Sequence, residues 1–131
     1  MIVVDVNVVA YLYLPGKFSE LAEGLLLRDA EWAAPRLWRS EFRNVLSTYV
    51  RQGLLELDAA VDINRRAEAL LAGNEYDVSA LAVLRLASDS GCSAYDCEYI
   101  ALAQHLKVQL ISADKKLCKA FPSHALALAE A

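Results

Sequence analysis

The chain opens with Ile2-Val3-Val4, a short β-branched run that ends at a carboxylate, Asp5. That is the pattern of a buried parallel strand. From Asn7 to Leu14 apolar residues fit a helix, until Pro15-Gly16 stops it. Ser19 is placed to cap a second helix reaching about Arg28, and Trp32-Ala33-Ala34 before Pro35 reads as a short strand. A strong helix is predicted from Leu37 to Gln52, closed by Gly53. Another runs from Asp58 to Ala72 and closes at Gly73-Asn74; a third, from Ser79 to Ser88, is broken by Gly91. Ser93 starts the helix from Tyr95 to Leu106. Val108 to Ile111 is a second β-branched strand ending near Asp114, and Lys115 to Ala120 is a brief helix before Pro122. The stretch from His124 to Leu128 fits a strand or a helical turn equally well.

Strands alternating with helices imply an α/β fold, a parallel sheet with helices packed over it. No linker, repeat or low-complexity segment interrupts residues 1–131, which are expected to form a single domain. Ligands of such folds collect beyond the carboxyl ends of the strands. Both clear strands end near an aspartate, Asp5 and Asp114.

Composition narrows the chemistry. Apolar residues make up 56% and charged residues 23% of the chain, which excludes a disordered or fibrous polypeptide. The 13 basic and 17 acidic residues leave a net charge of −4, so no global positive field attracts nucleic acid. A polyanion would have to be held locally, by a metal or a basic patch. The longest apolar run, Val8 to Leu14, is too short to span a bilayer. Asp5 sits where a signal peptide would carry its basic start, so export is not expected. The odd count of 3 cysteines argues against a disulfide framework and fits a reducing cytoplasm. Cys92, Cys97 and Cys118 lack zinc-site spacing and read as apolar core residues. The five glycines form no dinucleotide fingerprint or phosphate-binding loop. Neither histidine, His105 or His124, can be placed beside a nucleophilic serine. Carboxylates remain.

Four of them stand out, each with a structural alternative. Asp5 and Asp114 each precede a helix and suit N-capping as well as chemistry. Asp96, three residues after Ser93, resembles part of a capping box. Glu41 lies a full turn inside its helix. The apolar stripe there is read as Trp38, Phe42, Val45 and Tyr49, and Glu41 projects about 80° from its centre, at the border of the buried face. Asp96 has a similar edge position beside Tyr99, Ala103 and Leu106.

Together these residues resemble a PIN-domain ribonuclease. The likeness is carried by Val4-Asp5-Val6-Asn7, by Glu41 within Ser-Glu-Phe-Arg-Asn, by Tyr95-Asp96-Cys97 and by Ser112-Ala113-Asp114. Its most specific part is SAYDCEYIALAQHLKVQLISADKKL, from Ser93 to Leu117. The short length is similar to the VapC-like toxin branch of type II toxin–antitoxin systems. Cys97 stands where the family commonly has alanine, and Ser112 replaces the commoner threonine; no acidic position is lost.

The resemblance implies a three-layer α/β/α sandwich with a central, mostly parallel sheet. It implies a hydrolase of RNA phosphodiester bonds, with Asp5, Glu41, Asp96 and Asp114 gathered as metal ligands and catalytic acids. Carboxylates crowded into one cleft repel unless neutralised, and oxygen-only donors select hard ions, so Mg²⁺ or Mn²⁺ is expected. Asn7 and Ser112 are supporting candidates that could orient a carboxylate or hold water; local helix-start and strand-end bonding are their alternatives. Lys115, Lys116, Arg39 and Arg43 are RNA-contact candidates, a solvated charged face being the other option for each. An antitoxin partner follows from the resemblance. A homodimer is expected from Trp32, Trp38, Tyr95, Tyr99 and the high apolar content, unless these aromatics are spent on the core. Two rivals stand beside this reading: a catalytically idle binding module on the same fold, and a phosphoacceptor receiver domain. The second fits poorly, because Asp5-Val6-Asn7 is not the acidic pair it needs after the first strand.

Overall fold

The computed structural model describes residues 1–131. Five short strands form the central sheet: β1 (Ile2–Val4), β2 (Trp32–Pro35), β3 (Glu75–Tyr76), β4 (Leu110–Ser112) and β5 (Ala125–Ala127). Their order is β3-β2-β1-β4-β5, and every pairing is parallel. The sheet is therefore wholly parallel, beyond the mostly parallel arrangement expected. Val3 is aligned with Ala33 on one side and Leu110 on the other, so β1 is buried between two neighbours. A strand with helices over both faces needs apolar residues at every position, which Val3, Val4, Trp32, Ala33 and Ala34 supply.

Seven helices complete an α/β/α sandwich: α1 (Val6–Tyr13), α2 (Ser19–Arg28), α3 (Trp38–Arg51), α4 (Leu57–Leu70), α5 (Ala80–Ser90), α6 (Ala94–Leu106) and α7 (Lys115–Ala120). Helix α6 lies against β1, β2 and β4 and is backed by α5, while α1 packs with α2, α3, α4 and β4. One apolar core runs through these layers, and Val83, Cys97 and Ala101 form a satellite between α5 and α6. All three cysteines are free, with Cys97 fully buried as an apolar residue. No helix is long and apolar enough to cross a membrane.

Local chemistry accounts for most boundaries. Gly53, Gly73 and Gly91 have φ of +73°, +82° and +74°, the left-handed conformation that ends α3, the turn after α4, and α5. Ser79 and Ser93 cap α5 and α6 through their hydroxyls. Four details depart from the sequence reading. Ser19 does not cap α2: its hydroxyl accepts from Gly16 N–H and donates to the Leu14 carbonyl, closing the loop after α1. The buried stripe of α3 is Trp38, Phe42 and Leu46; Val45 and Tyr49 are only half-buried. Strand β3 had no detectable pattern, because two residues are too few for periodicity. The tail is both things at once, strand β5 followed by a 3₁₀ turn (Leu128–Glu130).

Candidate active site

The strand order reverses around β1: β2 lies on one side and β4 on the other, which opens a crevice beyond their carboxyl ends. Asp5 stands there, tied to β4 by its own N–H on the Ile111 carbonyl. Its side chain is 7% exposed and fully engaged. Oδ1 accepts from Val8 N–H at 3.1 Å, capping α1; Oδ2 accepts from the Ser112 hydroxyl at 2.5 Å and from Ala113 N–H at 3.1 Å. Both readings of Asp5 thus hold in one geometry: it is a helix cap and a carboxylate locked at the sheet edge. Burial pushes its pKa up, against the pull of these donors.

Ser112 is the link between the strand ends. Its fully buried hydroxyl donates to Asp5 and accepts from Asp114 N–H at 2.9 Å. Asp114 caps α7 through Oδ1, which accepts from Lys116 N–H and Leu117 N–H. Asp96 sits in the first turn of α6, its N–H bound by the Ser93 hydroxyl. Half-buried, it is pushed up in pKa mainly by desolvation and further by the field of Asp114, while Lys116 draws it down. Glu41, also half-buried, comes from α3 on the other side of the crevice. Desolvation raises its pKa most; Asp96 and Asp5 add to the rise, while a hydrogen bond from Tyr99 opposes it.

Glu41 feels Asp96 and Asp5, and Asp96 feels Asp114, so the four acids share one neighbourhood. They do not close around a point: no three carboxylate, imidazole or thiolate groups stand close enough to hold one ion jointly. None of the four is ion-paired; the salt bridges lie elsewhere. Positive charge is sparse here, with Lys115 and Lys116 exposed on α7 and only Lys116 felt by Asp96. Arg39 is engaged elsewhere: its guanidinium grips both oxygens of Glu75 at 2.6 and 2.7 Å and Glu68 at 2.7 Å. Arg43 stands 3.8 Å from the same Glu68. Asn7 is exposed at the start of α1 and lines a cavity with Tyr11, Phe18 and Tyr49, which none of the four acids lines.

One participant was absent from the sequence-based set. Tyr99, 2% exposed, donates its phenol hydrogen to Glu41 Oε1 at 2.6 Å, joining the two acid-bearing helices α3 and α6. Its pKa is driven far above the ordinary value by burial and then by Glu41, so it stays a donor. The spacing was visible: Tyr99 is three residues after Asp96, on the same helix face.

Comparison with known proteins gives a consistent picture. Residues 2–121 match the family model described as the PIN domain. The ribonuclease VapC3 of Pyrobaculum aerophilum is 30% identical over 125 residues, spanning 93% of this chain and 95% of that protein. Among solved structures, PAE2754 from Pyrobaculum aerophilum superposes with a TM-score of 0.78 at 20% identity, covering 98% of this chain and 90% of that one. FitAcB from Neisseria gonorrhoeae gives 0.77 at 17% identity, with full coverage of both chains. A toxin–antitoxin complex from Klebsiella pneumoniae gives 0.71 at 16%, again over 100% of each.

Proposed function

The chain belongs to the PIN-domain family, in its VapC-like branch, and from that premise we propose that it is a metal-dependent endoribonuclease, the toxin of a toxin–antitoxin pair. The observation that carries the site assignment is an uncompensated charge: Asp5 is buried, Glu41 and Asp96 are half-buried, and no cation pairs with them or with Asp114. A fold bears such a cost where the charge is used. The donors are all carboxylate oxygens, the set preferred by Mg²⁺ and Mn²⁺; without the ion no three of them stand together, so Asp5, Glu41, Asp96 and Asp114 are the residues that would be drawn in to hold it. When bound, it supplies an activated water and neutralises charge at the scissile phosphate.

The chain's own residues do the positioning. Ser112 and the Ala113 N–H fix one oxygen of Asp5, and Val8 N–H fixes the other. Tyr99 holds Oε1 of Glu41, and Oε2 accepts no protein hydrogen bond. Lys115 and Lys116, exposed directly after Asp114 on α7, would meet the RNA backbone. Partners are read from surface chemistry and relatives. Leu46, Val50, Leu57, Ala60 and Val61 line an open apolar groove between α3 and α4, and Leu54 and Leu57 are about two-thirds exposed. The proposed partners of these apolar surfaces are an antitoxin and a second copy of the chain, in the cytoplasm, where the thiols stay reduced.

The test is cleavage of single-stranded RNA by wild type and Asp96→Asn, in Mn²⁺, Mg²⁺ and EDTA. Cleavage that requires the ion and falls by orders of magnitude in the variant supports the proposal. Metal-independent cleavage, or a fully active Asp96→Asn, refutes it. No cleavage of any RNA would favour the idle binding module.

A further inference from the structure

RNA laid across the four acids must send the nucleotides flanking the scissile bond onto neighbouring surface, and on the α1 side that surface is aromatic. Tyr11 and Phe18 pack with ring centroids 4.9 Å apart at 41°. Two cavities share this pair. The larger, about 240 Å³, is also lined by Asn7, Lys17 and Tyr49; the smaller, about 100 Å³, by Ser112 and Lys115. None of the four acids lines either cavity, but each has one residue tied to Asp5: Asn7, two residues further along the chain, and Ser112, which donates to its carboxylate. The field of Asp5 reaches the Tyr11 phenol.

Three further features describe what the pair is suited to hold. The Tyr13 and Tyr99 hydroxyls donate to protein acceptors, whereas those of Tyr11 and Tyr49 do not. Lys17 and Lys115 are exposed and take part in none of the ion pairs. The Lys17 ammonium stands 4.9 Å over the Phe18 ring, on a flexible stem that can give up that face. We propose that Tyr11 and Phe18 form a nucleobase subsite, seating one unstacked base of single-stranded RNA while Lys17 and Lys115 meet the adjacent phosphates. The substrate class rests on the nuclease reading above; the seat itself does not. Aromatic rings hold bases by stacking whatever their identity, and free phenol hydroxyls can read a base edge. An apolar peptide would use the rings but leave both hydroxyls and both lysines idle.

The experiment uses a labelled single-stranded RNA hexamer and a series carrying one abasic ribose at each position in turn. Binding is followed by fluorescence anisotropy with Ca²⁺ present, and cleavage is followed separately with Mn²⁺. Wild type is expected to lose about ten-fold in affinity when one particular base is removed. Phe18→Leu should bind intact RNA that weakly and ignore the missing base, while Phe18→Trp restores the discrimination. Tyr11→Leu and Tyr11→Phe repeat the comparison on the other ring, with thermal melts to verify folding. The subsite is refuted if no base matters to wild type, or if both leucine variants keep wild-type affinity and discrimination. Phe18→Leu that binds RNA normally but loses a cognate antitoxin also refutes it, since the pocket is then a protein's seat. RNA bound with base sensitivity yet never cleaved leaves the subsite standing and removes the nuclease; cleavage indifferent to every base does the reverse.

Discussion

At the scale of single residues, the site depends on who donates to each carboxylate. Asp5 accepts through both oxygens, so an asparagine there cannot satisfy Val8, Ser112 and Ala113 together. A backbone N–H left unpaired costs about 1–3 kcal/mol, offset by removal of a buried charge. Asp96 carries a lighter obligation: no backbone N–H donates to its carboxylate, and the hydrogen bond from the Ser93 hydroxyl that lowers its pKa can be accepted by an amide oxygen as well. In EDTA, Asp96→Asn is therefore expected to melt at or above the wild-type temperature and Asp5→Asn below Asp96→Asn, with both inactive on RNA. Tyr99→Phe removes the donor to Glu41 without disturbing the ring's packing. Stability should change by about 1 kcal/mol or less; with Glu41 as a ligand of the proposed metal site, cleavage should fall about ten-fold, because its orienting partner is lost. The acid limb of the pH–rate profile should move upward, because the phenol bond now lowers the Glu41 pKa and its loss releases that restraint.

At the scale of elements, α3 delivers Glu41 and is itself held by Arg39. That guanidinium bridges Glu75 on β3 and Glu68 on α4, and Trp38 Nε1 donates to Glu75 as well. The hydrogen bond and charge of Arg39 hold the Glu75 carboxyl below the usual range. A lowered pKa means that this stability is present above the ordinary glutamate value and vanishes as pH falls through the depressed one. With Arg39 side-chain exposure at 39%, solvent screening limits the pair to about 1 kcal/mol. Glu75→Gln should thus unfold at lower urea than wild type at pH 7, and the gap should close in acid. The same network explains why Arg39, a candidate from sequence for RNA contact, is already occupied.

At the scale of the whole molecule, the acids act oppositely to Glu75. Asp5, Glu41 and Asp96 all have raised pKa values, each chiefly from burial. The folded state therefore holds their protons more tightly than the unfolded chain does. Their contribution is complete below the ordinary carboxylate range and is lost as pH rises through the raised values, so it should favour the metal-free protein as pH falls from neutral. If the proposed metal site is correct, millimolar Mn²⁺ or Mg²⁺ at pH 7 should raise the melting temperature, because an ion bound by the folded state alone stabilises it. Asp96→Asn should blunt that rise. Light scattering at micromolar concentration is expected to give a dimer, with the apolar α3–α4 groove or α5, which exposes Leu81 and Leu84, as candidate faces.

What the sequence determined by itself is what local chemistry encodes. The β-branched runs, the glycines needed at positive φ, the serine caps of α5 and α6 and the helix-starting positions of Asp5 and Asp114 are all decided within a few residues. Tertiary structure decided the rest. Strand β3 exists because the Ala34 and Arg36 N–H groups can donate to the Asn74 and Tyr76 carbonyls, and no pattern within Glu75-Tyr76 announces that. Leu46 displaced Val45 from the core because the neighbours of α3, and not its own period, fix which side is inside. Arg39 turned from solvent to Glu75 and Glu68 across 36 and 29 residues, and Tyr99 reached Glu41 across 58. Such bonds join side chains whose meeting depends on how whole helices pack, so a linear pattern carries the residues but not their partners.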